Sequence, residues 1–455
     1  MVIAAYAVVL IADYSSGPPR ESLLLVGMAG INFAIATLIW RRTRDPLHPG
    51  LLVIALLMIR YWFPYALVRW LHVEAPVLVL LGIGPEEFLR GLGLTAVAAT
   101  SFLLILVGEL TGRRNRAKAP VRTEHELNLA FSMLGIPIWL AYWLGAASLA
   151  LFVVTNTGDL VGTALSGAFR GATIQEGSGI WFYTSLLMIA AVGMITWKGS
   201  VTHPLRLRSL TPAFWAAILF LVLGGRSRAL TPVAIAILIW QMERQRWPAK
   251  RLKLPAAGPG FVSLLLLATS AVVVFAGALY RGGGIGALTS AGAWSAYIRE
   301  LGYLMVVDLG QLHGPAAAAA HESKVLGPGP ILGALLWPIS EFVDVGGRSP
   351  GVFLAMSRGL VRERPWGFHA GIAGAGYLTL GIGGTVVLAA GLGFIAARAY
   401  EAAKTSIPVL PSIVMWYVIR IFFEGIEKWG EMIVVVGMAG VLLWVGKATR
   451  LRAVG

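Results

Sequence analysis

Runs of about twenty apolar residues, interrupted by short polar clusters, recur along almost the whole chain. A helix needs about that length to cross the hydrocarbon core of a bilayer, because its backbone must satisfy its own hydrogen bonds there. The pattern predicts twelve spanning helices, at 1–13, 21–40, 50–70, 89–110, 129–155, 180–197, 210–225, 228–241, 261–280, 370–395, 408–423 and 432–446. The first run is short and competes with a signal-peptide reading. It lacks a basic leading region and a small-residue cleavage pattern, so it is read as a membrane helix.

Composition agrees. Of 455 residues, 57% are hydrophobic and 13% charged, with a mean hydropathy of +0.76. A soluble domain carries about 25% Asp, Glu, Lys and Arg, so about half the charge needed to wet a surface is missing. The expectation is an all-α polytopic membrane protein, a single integral membrane domain over 1–455. There is no cysteine, which excludes disulfides, thiolate metal sites and thiol nucleophiles together.

The net charge of +15 is placed unevenly. The connections 41–49, 111–128, 198–209, 242–254 and 396–407, with the tail 447–455, hold 21 of the 37 Lys and Arg residues. All fall on one side if the twelve spans hold, and the positive-inside bias puts them and both termini in the cytoplasm. The clusters Arg41-Arg42-Thr43-Arg44, Arg113-Arg114-Asn115-Arg116 and Lys250-Arg251-Leu252-Lys253 read as topology signals touching anionic lipid, not as a nucleic-acid surface. The opposite side carries one long connection, 281–369, rich in Gly and Pro and containing the run Ala316–Ala320. Its apolar stretches 330–339 and 351–360 are too short to span and predict amphipathic or re-entrant helices on the outer surface. No internal repeat of the transporter type is evident.

Arginines at outer span ends are not explained by topology, and charge at the membrane boundary commonly marks function. The sharpest case is Gly224-Gly225-Arg226-Ser227-Arg228-Ala229-Leu230-Thr231-Pro232, on a tight outer turn. Two readings stand side by side. Arg226 and Arg228 snorkel to lipid headgroups, or their forked guanidinium groups hold a phosphorylated ligand. Arg299, Arg348, Arg358, Arg362, Arg364 and Arg420 share that side; Arg420 with Glu424 forms an i,i+4 pair that serves equally as a structural bridge. Such a collection beside a greasy bundle suits a lipid-linked diphosphate, its tail in the bilayer and its head among cations.

His369, in Arg364-Pro365-Trp366-Gly367-Phe368-His369, is a candidate proton acceptor near neutral pH, and an ordinary interfacial histidine otherwise. Glu341, Asp344 and Asp308 are rival bases on the same segment. No histidine pair has metal-site spacing, so no metal and no cofactor are expected. The phosphate-binding loop of ATPases and the G-x-S-x-G nucleophile turn are both absent. Gly374, Gly376, Gly381, Gly383, Gly384, Gly391 and Gly393 crowd the tenth predicted span, which predicts close helix packing, with a ligand cleft as the alternative.

In this order and location the features resemble the O-antigen polymerase (Wzy-type oligosaccharide repeat-unit polymerase) family over residues 210–450. Gly225-Arg226-Ser227-Arg228-Ala229-Leu230 resembles the family's G-S-R-G-A-L-like turn, with Arg228 favoured over Arg226 as the equivalent arginine. Trp337-Pro338-Ile339 and Gly347-Arg348-Ser349-Pro350 resemble outer-loop elements. Gly371–Gly393 resembles G-E-x-Y-x-N-F-G-x-x-G, with Tyr377 and Gly381 in place, and Tyr417-Val418-Ile419-Arg420 resembles Y-x-x-R. Ala375 stands where the family has Glu, Thr379 and Leu380 replace the Asn and aromatic, and the loop arginine that often follows the proline is displaced.

The resemblance implies a glycosyltransferase C-like membrane fold in the bacterial cytoplasmic membrane, without metal or cofactor. It implies transfer of a growing glycan from polyprenyl diphosphate to a sugar hydroxyl of a second polyprenyl-diphosphate-linked oligosaccharide. Membrane lipids and a chain-length regulator are the implied partners. Read against that chemistry, Arg228 and Arg348 stabilise the departing diphosphate and His369 takes the acceptor's proton. Arg226, Arg299, Arg420, Tyr377 and Trp366 bind substrate. An O-antigen-ligase-like enzyme differs only in its acceptor. A transporter or flippase of lipid-linked sugar is the other class, and it predicts charge along the whole bundle interior.

Overall fold

A computed structural model of the chain describes residues 19–62, 83, 85–112, 135–167, 169, 178–202, 207–223, 226–245, 276–277, 279–280, 283–299, 313–320, 327–335 and 370–454. Among these residues the regular structure is entirely helical. In chain order the named helices are α1 (Pro19–Thr43), α2 (Pro49–Leu57, running on into a π-helical segment Met58–Trp62), α3 (Pro85–Gly112), α4 (Gly135–Thr157) and α5 (Leu160–Ser166). They continue with α6 (Gly179–Ser185), α7 (Leu187–Thr202), α8 (Thr211–Leu221), α9 (Arg226–Gln245), α10 (Ala291–Arg299), α11 (His313–Ala320) and α12 (Gly329–Leu335). The last three are α13 (Gly371–Thr405), α14 (Val409–Glu424) and α15 (Lys428–Val454).

Helix fills the described parts of ten of the twelve predicted ranges; 1–13 lies outside the described residues and 261–280 almost wholly so. Five stretches are long and apolar enough to cross a membrane: Glu87–Thr111, Gly135–Thr157, Gly179–Thr202, Gly371–Thr405 and Lys428–Gly446. Two shorter apolar helices, Pro49–Tyr61 and Arg208–Leu221, accompany them. The chain is a helical membrane protein. Large apolar side chains left exposed along α4 (Ile136, Leu140, Trp143) and α15 (Val441, Trp444) fit a lipid-facing surface.

Lipid gives apolar side chains no hydrophobic reason to leave it, so helix association depends on close packing, which small residues permit. Gly145 of α4 meets the backbone of Met188 in α7, and Gly393 of α13 meets the backbone of Phe102 in α3. The run Ala316–Ala319, part of the long connection 281–369, is buried. Its helix α11 lies in a seat made by Gly91 of α3, which faces Pro315 and Ala316, and Gly374 of α13, which faces Ala318. Short methyl-bearing helices need such glycines to approach backbone to backbone.

The tenth predicted span also differs from expectation, because α13 folds back on itself. Leu380 (φ −137, ψ 24) and Gly381 (φ 63, ψ −151) leave helical geometry, the latter in a region essentially reserved for glycine. Gly376 then contacts Gly384 and Thr385, and the Thr385 hydroxyl donates to the Ala373 carbonyl at 3.0 Å. A straight helix would hold Ala373 and Thr385 about 18 Å apart. The arm 382–405 reaches about 36 Å at ~1.5 Å per residue, enough to cross a bilayer. The arm 371–379 reaches about 14 Å, too short to cross a bilayer, and packs beside α11. Gly374, Gly376, Gly384 and Gly393 thus serve close packing, and Gly381 makes the turn.

Candidate functional site: a cation-rich cluster at one end of the bundle

Four elements end at one place: the π-helical segment after α2, the start of α9, the end of α14 and the start of α15. Gly425 (φ 117), in a conformation that disfavours side chains, turns α14 into α15 and brings their ionisable residues together. Arg420, only 3% exposed, is the hub. It donates through Nη2 and Nε to Glu424 Oε2 at 2.8 and 3.2 Å, and through Nη1 to Glu431 Oε2 at 2.9 Å. It also reaches Ser227 Oγ at 3.4 Å. Lys428 Nζ donates to Glu431 Oε1 at 3.1 Å, and Arg228 Nη2 approaches the same oxygen at a longer 3.5 Å. Arg60 Nη2 faces Glu424 Oε1 at 3.9 Å.

Aromatic faces back the cations. Arg228 lies over Phe182 of α6 at 4.5 Å, Arg60 over Phe423 at 5.5 Å and Arg420 over Tyr417 at 5.2 Å. Rings of this kind attract cations and keep water away. Tyr61, next to Arg60 and fully buried, stacks on Phe423 and faces Gly371 at the base of the α13 hairpin. Trp416 Nε1 donates to Thr231 Oγ1 at 3.3 Å, holding α14 against α9. Pro232 lacks the amide that would bond the Arg228 carbonyl in a regular helix.

Helix termini make the site more positive still. Arg226 and Arg228 occupy the first turn of α9, and Lys428 opens α15, so cations sit where the helix dipoles are already positive. Glu424 ends α14, where the dipole is negative. Both arrangements cost stability in isolation, and only the cross-helix ion pairs relieve them. Among the described residues, this network sets Arg60, Arg228, Arg420 and Lys428 against Glu424 and Glu431. Buried charge normally comes paired. Cations gathered at two converging helix N-termini offer a place where an anion can be held.

Of the residues singled out from sequence, Arg228 and Arg420 are brought together here. Arg420 is the best satisfied of the cations, a hub more than a free hand. Tyr377, on the short arm of α13, packs half-buried against the core. Arg226 opens α9 and Arg299 closes α10, and their side chains lie outside the described set. Arg348, Trp366 and His369 lie outside the described residues, as do the rival bases Glu341, Asp344 and Asp308. Arg60, Lys428 and Glu431 were not expected in the site. Arg60 carried the one available signal, an arginine deep in an apolar run.

A second polar group lies at the other end of α2 and α14, where α13 finishes. Tyr400 Oη donates to Asp45 Oδ2 at 2.6 Å, and the Leu47 amide donates to Asp45 Oδ1 at 3.0 Å. His48 Nδ1 accepts from the Gly50 amide at 3.2 Å, capping α2, and its ring meets Tyr400 edge to face. Lys404 Nζ sits 4.0 Å over the Tyr400 ring. Burial away from water lowers the His48 pKa to about 4, outweighing the Asp45 carboxylate beside it. The Asp45 carboxylate, the Lys404 ammonium and the neutral His48 imidazole make a staple between these helix ends.

Among the described residues no group of three or more His, Asp or Glu is arranged to hold a metal ion. No family model, characterised relative or solved structure matches the chain.

Proposed function

We propose that this protein is a glycosyltransferase that joins polyprenyl-diphosphate-linked oligosaccharides at the outer face of the bacterial cytoplasmic membrane. The observation that carries the reading is the gathering of Arg60, Arg228, Arg420 and Lys428 at one end of an apolar bundle. The positive-inside bias supports placing that end outward, with both termini in the cytoplasm and twelve spans of a glycosyltransferase C-like fold between. The lipid tail then lies in the bilayer while the diphosphate meets the cluster.

In the reaction, an acceptor hydroxyl oxygen bonds to the anomeric carbon of the donor sugar. The bond from that carbon to the phosphate oxygen breaks, and its electron pair leaves with the diphosphate. Negative charge on the leaving group grows toward the transition state, so preorganised cations stabilise that state more than the substrate. Arg228, Lys428 and Arg60 are suited to this work, because each keeps some exposure and makes a longer contact than the Arg420 hub. Arg348 assists. His369, or one of Glu341, Asp344 and Asp308, takes the hydroxyl proton, and Tyr377 and Trp366 orient sugar rings. The acceptor decides between a polymerase, which works with a chain-length regulator, and a ligase.

A transport reading has one observation in its favour, the buried Asp45–Tyr400–Lys404 group at the opposite end. Between the two ends, however, α9 from Ala229 to Gln241 and α14 from Val409 to Ile419 carry no charged side chain. The test is incubation of purified protein with lipid-linked oligosaccharide. A glycan ladder is expected for the wild type, and Arg228→Ala lowers transfer by about 10²–10³-fold while inserting normally. Movement of intact substrate across liposomes with no new glycosidic bond would overturn the proposal in favour of transport.

A further inference from the structure

Beside the cluster, the Tyr417 hydroxyl on the fully buried face of α14 has no hydrogen-bond partner. A buried hydroxyl without a hydrogen bond costs stability, so its retention calls for a second state in which it is used. Arg420 lies over the Tyr417 ring at 5.2 Å and holds Glu431 Oε2 at 2.9 Å, so ring and carboxylate share one guanidinium. Glu431 Oε1 is meanwhile held by Lys428 at 3.1 Å and, loosely, by Arg228 at 3.5 Å. These are two of the cations that the proposed function gives to the diphosphate.

We propose that Glu431 is an internal anion that occupies Arg228 and Lys428 in the empty site, and that Tyr417 is its reserve donor. A phosphoryl group taking those two cations deprives Glu431 Oε1 of its donors. The carboxylate stays tied to Arg420 through Oε2 and turns Oε1 to the Tyr417 hydroxyl. Exchange of one anion for another keeps the cations paired in both states, which avoids leaving buried charge uncompensated. It also accounts for the long Arg228 contact and the idle hydroxyl together. Ser412, a turn and a half earlier on the same helix, has a buried hydroxyl that is also unpartnered but faces no such carboxylate in the network, and serves as the control.

The inference rests on the diphosphate reading, and the experiment separates the two. Calorimetric titration of detergent-purified full-length protein uses polyprenyl diphosphate and, in parallel, inorganic pyrophosphate. Glu431→Gln, which removes the competing charge, binds about tenfold more tightly, and Tyr417→Phe binds about fivefold more weakly with unchanged or raised Tm. In the double variant the Tyr417→Phe effect shrinks, since an amide needs the hydroxyl less than a carboxylate does. Ser412→Ala leaves affinity unchanged. Weaker binding by Glu431→Gln, or unchanged affinity in Tyr417→Phe, overturns the latch while the site stands. Tyr417→Phe decides the matter alone if Glu431→Gln does not fold. Failure of the wild type to bind either probe removes the diphosphate site and the latch with it.

Discussion

The two ends of α2 and α14 carry buried polar groups of opposite character. At one end Asp45 has partners on both oxygens, Lys404 lies over the Tyr400 ring, and His48 spends its lone pair on the Gly50 amide. At the other end, among the described residues, Arg60, Arg228, Arg420 and Lys428 meet Glu424 and Glu431, helix dipoles add to the positive potential, and the Tyr417 hydroxyl has no partner. Balance is what a fold needs from its buried polar groups. Cations gathered at helix N-termini, where the dipole is already positive, favour an arriving anion.

Breaking the hub tests this contrast most severely. Arg420→Ala leaves Glu424 and Glu431 buried beside too few partners and destabilises the protein by about 3–5 kcal/mol, read as a fall in Tm. Lowering the pH probes the balanced end instead. His48 takes up a proton at about 4 in the folded protein and at 6.5 when released, so stability is full above pH 6.5 and declines as pH falls toward 4. The loss attributable to His48 approaches about 3 kcal/mol. His48→Asn keeps an acceptor for the Gly50 amide and flattens thermal stability between pH 6.5 and 4, whereas an equally steep decline in that variant would assign the effect elsewhere. The smallest effect is expected from Tyr400→Phe, which strips one donor from Asp45 and lowers stability by about 1–2 kcal/mol without changing glycan transfer.

Much of this contrast is legible in the sequence, and the illegible parts share a cause. Apolar runs predict where helices lie because spanning length is a local property. Arg228 and Arg420 stand out because charge at the end of an apolar run is expensive. The reversal at Leu380 and Gly381 is hidden, since an uninterrupted apolar run looks the same straight or folded. Ala316–Ala319 is hidden for the converse reason: a run too short to span gives no sign that glycines elsewhere, at 91 and 374, prepare a seat for it. Lys428 and Glu431 look like ordinary charges at the start of the last helix until Gly425 turns them toward Arg420. Arg60 is visible as a deep charge, but its partner Glu424 comes from the far end of the chain, and pairing over that distance leaves no local pattern.

Affinity for polyprenyl diphosphate, compared among the wild type, Arg228→Ala and Tyr400→Phe, tests the functional difference between the ends most directly. The wild type and Tyr400→Phe are expected to bind alike, with Arg228→Ala weaker by at least tenfold and the wild-type affinity falling as salt rises. Equal binding by all three proteins, or a loss confined to Tyr400→Phe, would contradict an anion site at the arginine-rich end.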